Sequence, residues 1–350
     1  MIKIVIADDS ALLRNVLKDM LNEYPKLEVV GEAKNGKEAI QLVKEKSPDI
    51  LILDCEMPVM NGLEALRVIM SECPLPVFMF SSLTREGAEV TIKALEYGAI
   101  DFMLKPTAGA HGLDEVIDDL VHKTEMVVLK WRFSHLARTK GVVRPRPEAV
   151  VTKGPKEIRR RKIELIAMGS STGGVQAAME VVPKLPENTK PIVWVQHMPP
   201  NFTKSFADRL NSVSKMHVKE AEDNEIIQDG TCYLGKGGYQ LRVIKTGANY
   251  RVKVAGTDKV GGFCPACNVL FDSVTEYFHE NVIGVIMTGM GDDGTKGLVK
   301  MHGQGGFVIG QSESSCVVYG MPAAAYNAGA VDVEVDLKEI WETIGKVGGY

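Results

Sequence analysis

The segment that could do chemistry most directly is a glycine-rich turn at residues 169–174, which carries Ser171. An apolar run at 163–168 precedes the turn, and the pattern after it predicts a helix over 175–185. A junction of strand, glycine turn and helix lets the backbone approach a ligand closely and directs helix N–H groups at negative charge. The turn therefore suits either a nucleophilic serine with an oxyanion site or a phosphate-binding loop.

Acid–base groups follow two later strands that are predicted over 191–195 and 282–288, and a further strand is predicted over 306–310. His197 comes just after the first, and the pair Asp292 and Asp293 comes after the second. The carboxyl ends of parallel strands share one edge of a sheet, so these groups are expected to converge on Ser171. A serine nucleophile needs a base, and the base needs an acid that fixes its tautomer.

Nucleotide binding is the competing interpretation of the glycine turn. No lysine follows the glycines as a Walker motif requires, and the dinucleotide pattern fails because residue 171 is serine. The letters of Gly-x-Ser-x-Gly are satisfied at 169–173, but the order Ser…His…Asp differs from that of α/β-hydrolases. From the residues alone, a hydrolase and a phosphate-binding turn stay equally open.

A second group of polar residues lies in the first 120 positions. Five short apolar runs alternate there with helical patterns, which predicts a doubly wound parallel sheet. The runs are at 2–7, 27–33, 50–54, 77–81 and 99–104. At or just beyond their carboxyl ends stand Asp8, Asp9, Asp54, Ser81 and Lys105. Three carboxylates beside a lysine make a site of hard oxygen ligands that suits Mg²⁺.

This arrangement resembles the response-regulator receiver domain, and the resemblance covers residues 1 to about 120. It implies that Asp54 is the phosphoacceptor and that a partner histidine kinase is the phosphodonor. A carboxylate can attack a phosphoryl group only if charge is neutralised, which a metal ion and a lysine provide. The implied Mg²⁺ ligands are Asp9, Asp54, the Glu56 carbonyl and, through water, Asp8. The implied phosphoryl contacts are Ser81 and Lys105, with Phe102 at the aromatic switch position.

Four motifs in the rest of the chain resemble the protein-glutamate methylesterase family of bacterial chemotaxis, the CheB family. They are GSSTGG at 169–174, QHMPPNFTKSFADRLN at 196–211, MTGMGDDG at 287–294 and SCVVYGMP at 315–322. The resemblance spans 163 to about 340 and implies a triad of Ser171 as nucleophile, His197 as base and Asp293 as orienting acid. Asp293 is preferred to Asp292 because the family pattern places the acid directly before the glycine. Thr172 flanks the nucleophile, and the Met290 backbone N–H is the implied oxyanion donor.

The two resemblances together imply a phosphorylation-regulated hydrolase. Its substrates would be glutamate methyl esters on methyl-accepting chemoreceptors, with deamidation of receptor glutamines as a related activity and no cofactor for the esterase chemistry. Phosphorylation of Asp54 would relieve inhibition by the receiver, and contact with the membrane would come only through the receptors. The alternative is a phospho-dependent receptor-binding protein of a non-motility pathway, with altered or no esterase turnover.

One segment departs from the family pattern, in which Arg or His is followed by Pro-Ser-Val-Asp. Here Ala266 and Asn268 replace the serine and the aspartate, and cysteines stand at 264 and 267. A Cys-x-x-Cys pair can bind zinc or cycle as a disulfide, but zinc would need a second ligand pair, and none is evident at matching spacing. We expect reduced thiols at the rim of the active site, and an effect on substrate choice rather than on the chemistry.

Length and composition complete the sequence-based expectations. A chain of 350 residues with a net charge of −4 favours two domains and disfavours a nucleic-acid binder, since no DNA-binding motif follows the receiver. Early acidic residues, the absence of a membrane-length apolar run and six dispersed cysteines predict a cytoplasmic protein, expected to be a monomer. The predicted parts are a (βα)5 receiver at 1–121, a helix extension with a basic, proline-containing linker at 122–162, and a three-layer α/β/α methylesterase domain at 163–350.

Overall fold

The chain folds into two compact units, Met1–Pro145 and Arg146–Tyr350. The computed structural model describes residues 1–105, 113–140 and 159–350. Most of the basic linker, residues 141–158, lies outside the described residues, so the bounds 1–121, 122–162 and 163–350 stay a prediction. Within the described ranges, every helix is too short or too polar to span a lipid bilayer.

The first unit is built on a sheet of five parallel strands in the order β2-β1-β3-β4-β5. Strands β3 and β4 are buried along their whole length, which is why both read as unbroken apolar runs. The predicted doubly wound sheet is confirmed. Its strands are β1 (Ile2–Ala7), β2 (Leu27–Ala33), β3 (Ile50–Asp54), β4 (Val77–Ser81) and β5 (Asp101–Leu104).

Four helices of this unit begin at side-chain caps that the sequence supplies. Ser10, Asn35, Asn61 and Thr84 each accept a hydrogen bond from a backbone N–H in the first helical turn. The last helix continues to Lys140, inside the predicted helix extension and linker at 122–162, because residues 134–140 include good helix formers and no proline. The helices are α1 (Ala11–Asn22), α2 (Gly36–Lys46), α3 (Gly62–Glu72), α4 (Arg85–Glu96) and α5 (Leu113–Lys140).

The second unit contains a seven-stranded parallel sheet in the order β14-β13-β12-β6-β7-β9-β8. Its central strands are fully buried, with helices packed on the sheet around one hydrophobic core. The predicted parallel α/β architecture is confirmed here too. The strands are β6 (Leu165–Ser170), β7 (Ile192–Gln196), β8 (His217–Glu220), β9 (Thr231–Leu234), β12 (Val282–Ile286), β13 (Phe307–Gln311) and β14 (Val333–Val335).

An antiparallel hairpin stands apart from this sheet and was not predicted. Its strands β10 (Leu241–Thr246) and β11 (Asn249–Val254) are joined by two residues, the first of which is Gly247 with φ +61°. A two-residue loop with glycine is a hairpin signal that the sequence did contain. The helices of the unit are α6 (Gly174–Val181), α7 (Phe202–Asn211), α8 (Cys267–Phe278), α9 (Thr295–Gly303), α10 (Met321–Asn327) and α11 (Ile340–Gly348).

Candidate functional site

The turn between β6 and α6 holds Ser171 in a backbone shape that only glycine neighbours allow. Gly173 has φ +79°, and a Cβ on Gly174 would lie 2.0 Å from the Gln196 side-chain oxygen. The Ser171 N–H donates to the Thr288 carbonyl at 2.9 Å, which anchors the serine to the end of the neighbouring strand β12. The serine is half-buried at the carboxyl edge of the sheet.

His197 leaves the sheet beside Ser171. The pairing of β6 with β7 sets Ser170 opposite Gln196, so the next residue on each strand is one of the two functional groups. The Gln196 amide donates to the Ser171 carbonyl at 2.8 Å and to the His197 carbonyl at 3.2 Å, and its oxygen accepts from the Ser170 hydroxyl at 2.6 Å. Sequence reasoning missed Gln196, although a buried glutamine closing an apolar strand was a visible signal.

The carboxylate that meets His197 is that of Asp293. His197 Nε2 lies 2.8 Å from Asp293 Oδ2. Asp293 is only 4% exposed, whereas the neighbouring Asp292 is exposed to solvent. Since an orienting acid must reach the imidazole, the geometry favours Asp293 over Asp292.

Asp293 also caps the start of helix α8 from outside the helix. Its two oxygens accept the backbone N–H groups of Cys267 at 2.6 Å and Asn268 at 3.0 Å. Burial alone would raise the pKa of the Asp293 carboxyl. The hydrogen bond with His197, the charge interaction and the two backbone donors outweigh burial and hold the pKa below its usual range. Asp293 is therefore a fixed anion beside the imidazole.

The other nitrogen of His197 is left as an acceptor. With the proton on Nε2 facing Asp293, the lone pair is on Nδ1. Nδ1 is buried and has no hydrogen-bond partner among the residues the structure describes, and no hydrogen bond joins it to Ser171 there. The Phe263 ring stacks on the imidazole at 3.8 Å between centroids and 9° between planes. The imidazole plane is thus set by one carboxylate and one aromatic face.

The loop that carries Phe263 is held by the hairpin region. The Gln240 amide, just before β10, donates to the Phe263 carbonyl at 3.1 Å, and its oxygen accepts the Ala266 N–H at 2.9 Å. Phe263 was noted in the sequence only as the first residue of the altered segment 263–268, without a role. Gln240 was not singled out, because it reaches the site through tertiary contacts of an unpredicted element. Gln240 therefore connects the hairpin to Phe263, and Phe263 in turn orients the His197 ring.

The expectation that both cysteines lie at the rim is wrong for Cys267. Its side chain is fully buried, and Sγ lies 3.7 Å from His197 Nε2. The cause is the capping contact, since the first residue of α8 must sit directly beneath Asp293 to donate to it. Cys264 is partly exposed and has its Sγ 3.8 Å from the Gly256 carbonyl, away from the imidazole. Both thiols are free.

The two residues assigned to the oxyanion region flank Ser171. Thr172 is buried, and its carbonyl accepts the Thr288 hydroxyl at 2.9 Å. Met290 follows Gly289, at which a Cβ would lie 2.8 Å from the Ser171 Cβ. Among the described residues, the Met290 N–H donates to no protein acceptor. Close approach and an unused donor fit the predicted oxyanion role.

The receiver residues also converge at the carboxyl ends of their strands. The Lys105 ammonium lies 2.6 Å from Asp54 Oδ2 and 2.9 Å from Asp8 Oδ2. Asp8, Asp9 and Asp54 each bring a carboxylate oxygen within 4.8 Å of the others. An all-oxygen set of this kind fits Mg²⁺ rather than a thiophilic ion.

Asp54 itself is buried at the end of β3, with 1% of its surface exposed. Burial raises its pKa from 3.8 to about 6, against the hydrogen bonds from Lys105 and from the Glu56 N–H. The nearby Asp8 carboxylate raises the pKa further. A cation placed among these oxygens would reverse that effect, so the cluster fits the metal ion that the receiver resemblance implies.

The two predicted switch residues are both buried. The Ser81 hydroxyl lies 2.7 Å from the Thr91 hydroxyl of α4 and faces that helix rather than Asp54. Phe102 lies inside the domain with 8% of its surface exposed. Both side chains occupy inward positions in this structure.

Known proteins match both halves of the chain. A family model described as CheB methylesterase matches residues 166–344, and one described as response regulator receiver domain matches 4–117. A protein of Pyrococcus abyssi named protein-glutamate methylesterase/protein-glutamine glutaminase is 44% identical, over 98% of this chain and 92% of its own. A protein of the same name from Pectobacterium atrosepticum is 40% identical, over 97% of this chain and 95% of its own. The crystal structure of the Thermotoga maritima CheB methylesterase catalytic domain is similar, with a TM-score of 0.51, 39% identity and coverage of 53% of this chain and 98% of that one.

Proposed function

We propose that this chain, which belongs to the CheB methylesterase family, hydrolyses methyl esters of glutamate side chains on chemoreceptors and deamidates receptor glutamines. The observation that carries the proposal is the 2.8 Å contact of His197 Nε2 with Asp293. His197 directly follows β7, the strand that pairs with β6, which ends just before Ser171. Because Nε2 of His197 faces Asp293, Nδ1 of the imidazole is left as an acceptor. A receptor-binding protein without turnover would not need this buried pair.

In the acylation step, Ser171 Oγ attacks the ester carbonyl and His197 Nδ1 accepts the serine proton. The imidazolium that forms keeps the hydrogen bond from its Nε2–H to Asp293, and the carboxylate stabilises the new positive charge. The carbonyl oxygen becomes an oxyanion, and the Met290 N–H donates to it beside Thr172. When the tetrahedral intermediate collapses, the C–O bond to the methoxy group breaks and His197 returns the proton to release methanol.

In the deacylation step, water takes the place of Ser171 as the attacking group. His197 Nδ1 accepts a proton from the water as its oxygen bonds to the acyl carbon. When the second tetrahedral intermediate collapses, the bond to Ser171 Oγ breaks and His197 returns the proton to Oγ. The glutamic acid product loses its proton to solvent and leaves as a carboxylate. A glutamine substrate follows the same path, except that ammonia leaves in place of methanol. One nucleophile and one oxyanion donor therefore serve both reactions.

In the receiver, Asp54 is the proposed phosphoacceptor and a histidine kinase is the proposed donor. Asp8, Asp9, Asp54 and the Glu56 carbonyl would hold Mg²⁺, which when bound neutralises charge on the transferring phosphoryl group. Lys105 ion-pairs with Asp54 and would stay with the phosphoryl oxygens after transfer. Ser81 would leave Thr91 to contact the same group, and Phe102 would move with it.

Regulation follows from placing a phosphoacceptor and a hydrolase on one chain. We infer that the unphosphorylated receiver restrains the hydrolase and that phosphorylation of Asp54 relieves the restraint. A tenfold gain in rate needs a shift of only about 1.4 kcal/mol in such an equilibrium. A cytoplasmic location, a monomeric state and the absence of nucleic-acid binding remain predictions from the sequence.

The test of the hydrolase is the variant Ser171→Ala in the full-length protein. Methanol release from methylated receptors should fall by at least about 10⁴-fold, because the nucleophile is lost. Phosphate uptake by Asp54 from a small phosphodonor is the control and should not change. Undiminished methanol release in a variant that still accepts phosphate would contradict the assignment of Ser171.

A further inference from the structure

The Cys267 thiol is a metal-ligating group beside His197 and Asp293 that the proposed hydrolysis does not use. It is fully buried, and its Sγ lies 3.7 Å from His197 Nε2 and 3.9 Å from the Val195 carbonyl. Acyl transfer by Ser171 needs a base, an acid and an oxyanion donor, and none of these is a thiol. The thiol therefore has no part in the proposed hydrolysis.

Three different metal-ligating atoms meet at this point. His197 Nε2, Asp293 Oδ2 and Cys267 Sγ lie within 4.8 Å of one another. Zinc binds nitrogen and carboxylate oxygen at about 2.0–2.2 Å and sulfur at about 2.3 Å, which puts tetrahedral ligand atoms roughly 3.3–3.7 Å apart. The sulfur–nitrogen distance of 3.7 Å already fits, and the nitrogen–oxygen distance of 2.8 Å must open by about half an ångström.

The surroundings of these atoms are those of a supported metal site. The second oxygen of Asp293 is held by the Asn268 N–H at 3.0 Å, and Phe263 fixes the imidazole plane. Of the three ligands, only His197 reaches the surface, so an ion would enter from the side on which substrate binds. Three protein ligands leave a fourth position for water.

The ligand set also distinguishes this cluster from the one in the receiver. Asp8, Asp9 and Asp54 offer only oxygen, which suits Mg²⁺. The thiol and imidazole of Cys267 and His197 favour a thiophilic ion instead. We propose that His197, Cys267 and Asp293 form an inhibitory site for a divalent cation of the zinc class.

The inhibition, which rests on the proposed function, results from a change in which nitrogen of His197 carries the proton. Binding forms bonds from Zn²⁺ to the Cys267 thiolate, to Nε2 of His197 and to the Asp293 carboxylate, and the thiol proton leaves to solvent. The imidazole proton, which is on Nε2 in the active enzyme, moves to Nδ1 because the metal takes the Nε2 lone pair. Nδ1 can then no longer accept the proton of Ser171, so acylation stops. Removal of the metal reverses each step.

The test uses Co²⁺ as a spectroscopic probe in the metal-free, full-length protein. We expect a thiolate-to-cobalt charge-transfer band in the wild type, which Zn²⁺ displaces. The band should vanish in Cys267→Ala and persist in Cys264→Ala, the matched control whose thiol faces the Gly256 carbonyl. Cys267→Ser, which keeps the volume of the side chain, should also lack the band and guards against a packing defect in the alanine variant.

The second arm measures methanol release with and without saturating Zn²⁺. In the wild type and in Cys264→Ala, Zn²⁺ should lower the rate of methanol release at least tenfold, and a chelator should restore it. In Cys267→Ala, Zn²⁺ should change the rate less than twofold from that variant's own metal-free rate. A missing band in the wild type, or a band that survives in both Cys267 variants, would overturn the site. A band without inhibition would overturn its inhibitory role. Absence of methanol release from the metal-free wild type would instead count against the proposed function, because the cobalt band does not depend on turnover.

Discussion

Two buried aspartates occupy equivalent places in the two units, each at the carboxyl edge of a parallel sheet, yet their carboxyl groups differ in acidity. Burial raises the pKa of Asp54 to about 6, whereas hydrogen bonds overcome burial and lower that of Asp293. Asp293 accepts two backbone N–H groups at the start of α8 and a contact from His197. Asp54 accepts one backbone N–H, from Glu56, and one bond from the Lys105 ammonium, and it lies beside the carboxylate of Asp8.

The supply of donors, rather than depth of burial, separates the two aspartates. A carboxylate surrounded by donors is a permanent anion, which suits a residue that must stabilise an imidazolium through every turnover. A carboxylate with few donors and like-charged neighbours gains from a metal ion and from phosphoryl transfer. Each aspartate's neighbours therefore match its proposed role, which Asp293→Asn and Asp54→Asn test.

The largest effect is expected from Asp293→Asn. The amide cannot hold the imidazole with its proton on Nε2 and cannot stabilise the imidazolium, so the rate of methanol release should fall by about 10⁴-fold. Asp292→Asn is the matched control, because that carboxylate is exposed, and should retain most activity. Equal losses in the two variants would mean that the two carboxylates are not distinguished as the structure indicates.

A smaller effect is expected from Gln196→Met, which keeps the length of the side chain but removes the bonds to the Ser171 and His197 carbonyls. Misplacement of the nucleophile relative to its base should lower kcat by roughly 10- to 100-fold with little change in KM. Gln304→Met, which removes an exposed bond to His279, is the control. A rise in KM at constant kcat would show that Gln196 serves binding instead.

The smallest effect is a pair of stability changes of opposite sign. The folded-state pKa of Asp54 lies above its ordinary value of 3.8, so ionisation costs stability, partly above pH 4 and fully above about pH 6. Asp54→Asn should therefore stabilise the receiver at pH 7 by on the order of 1–3 kcal/mol when a chelator is present. Asp293 has a lowered pKa, so its ionised form adds stability that is lost as the pH falls through the folded value.

Asp293→Asn should accordingly destabilise the hydrolase unit at pH 7 by roughly 1–3 kcal/mol. Scanning calorimetry of the full-length variants would measure both changes. Shifts of the same sign in the two variants would show that the supply of donors does not separate the two aspartates.

Much of this architecture could be predicted because buried parallel strands leave a clear trace in the sequence. The first four strands of the receiver were predicted with the bounds that the structure gives them, and functional residues stand at strand ends, where topology brings them together. Ser171, His197 and Asp293 were predicted in this way, with a family resemblance to choose between the two aspartates.

The remaining parts of the site could not be read from local patterns. Cys267 was expected at the rim and is instead buried against His197, because its helix is capped by a carboxylate 26 positions away in the chain. Gln240 lies just before the short, half-buried strands of the hairpin, and Phe263 lies in the loop between the hairpin and α8. Contacts of this kind depend on tertiary packing, and no spacing of residue types announces them.

The proposed function makes Ser171 the residue that attacks receptor methyl esters and Asp54 the residue that controls the reaction. Its most direct test is methanol release from methylated receptors by the full-length protein, with and without a small phosphodonor and Mg²⁺. Methanol release should rise at least tenfold with the phosphodonor in the wild type and should not rise in Asp54→Asn. No release from the wild type in either state, or an equal rise in Asp54→Asn, would contradict it.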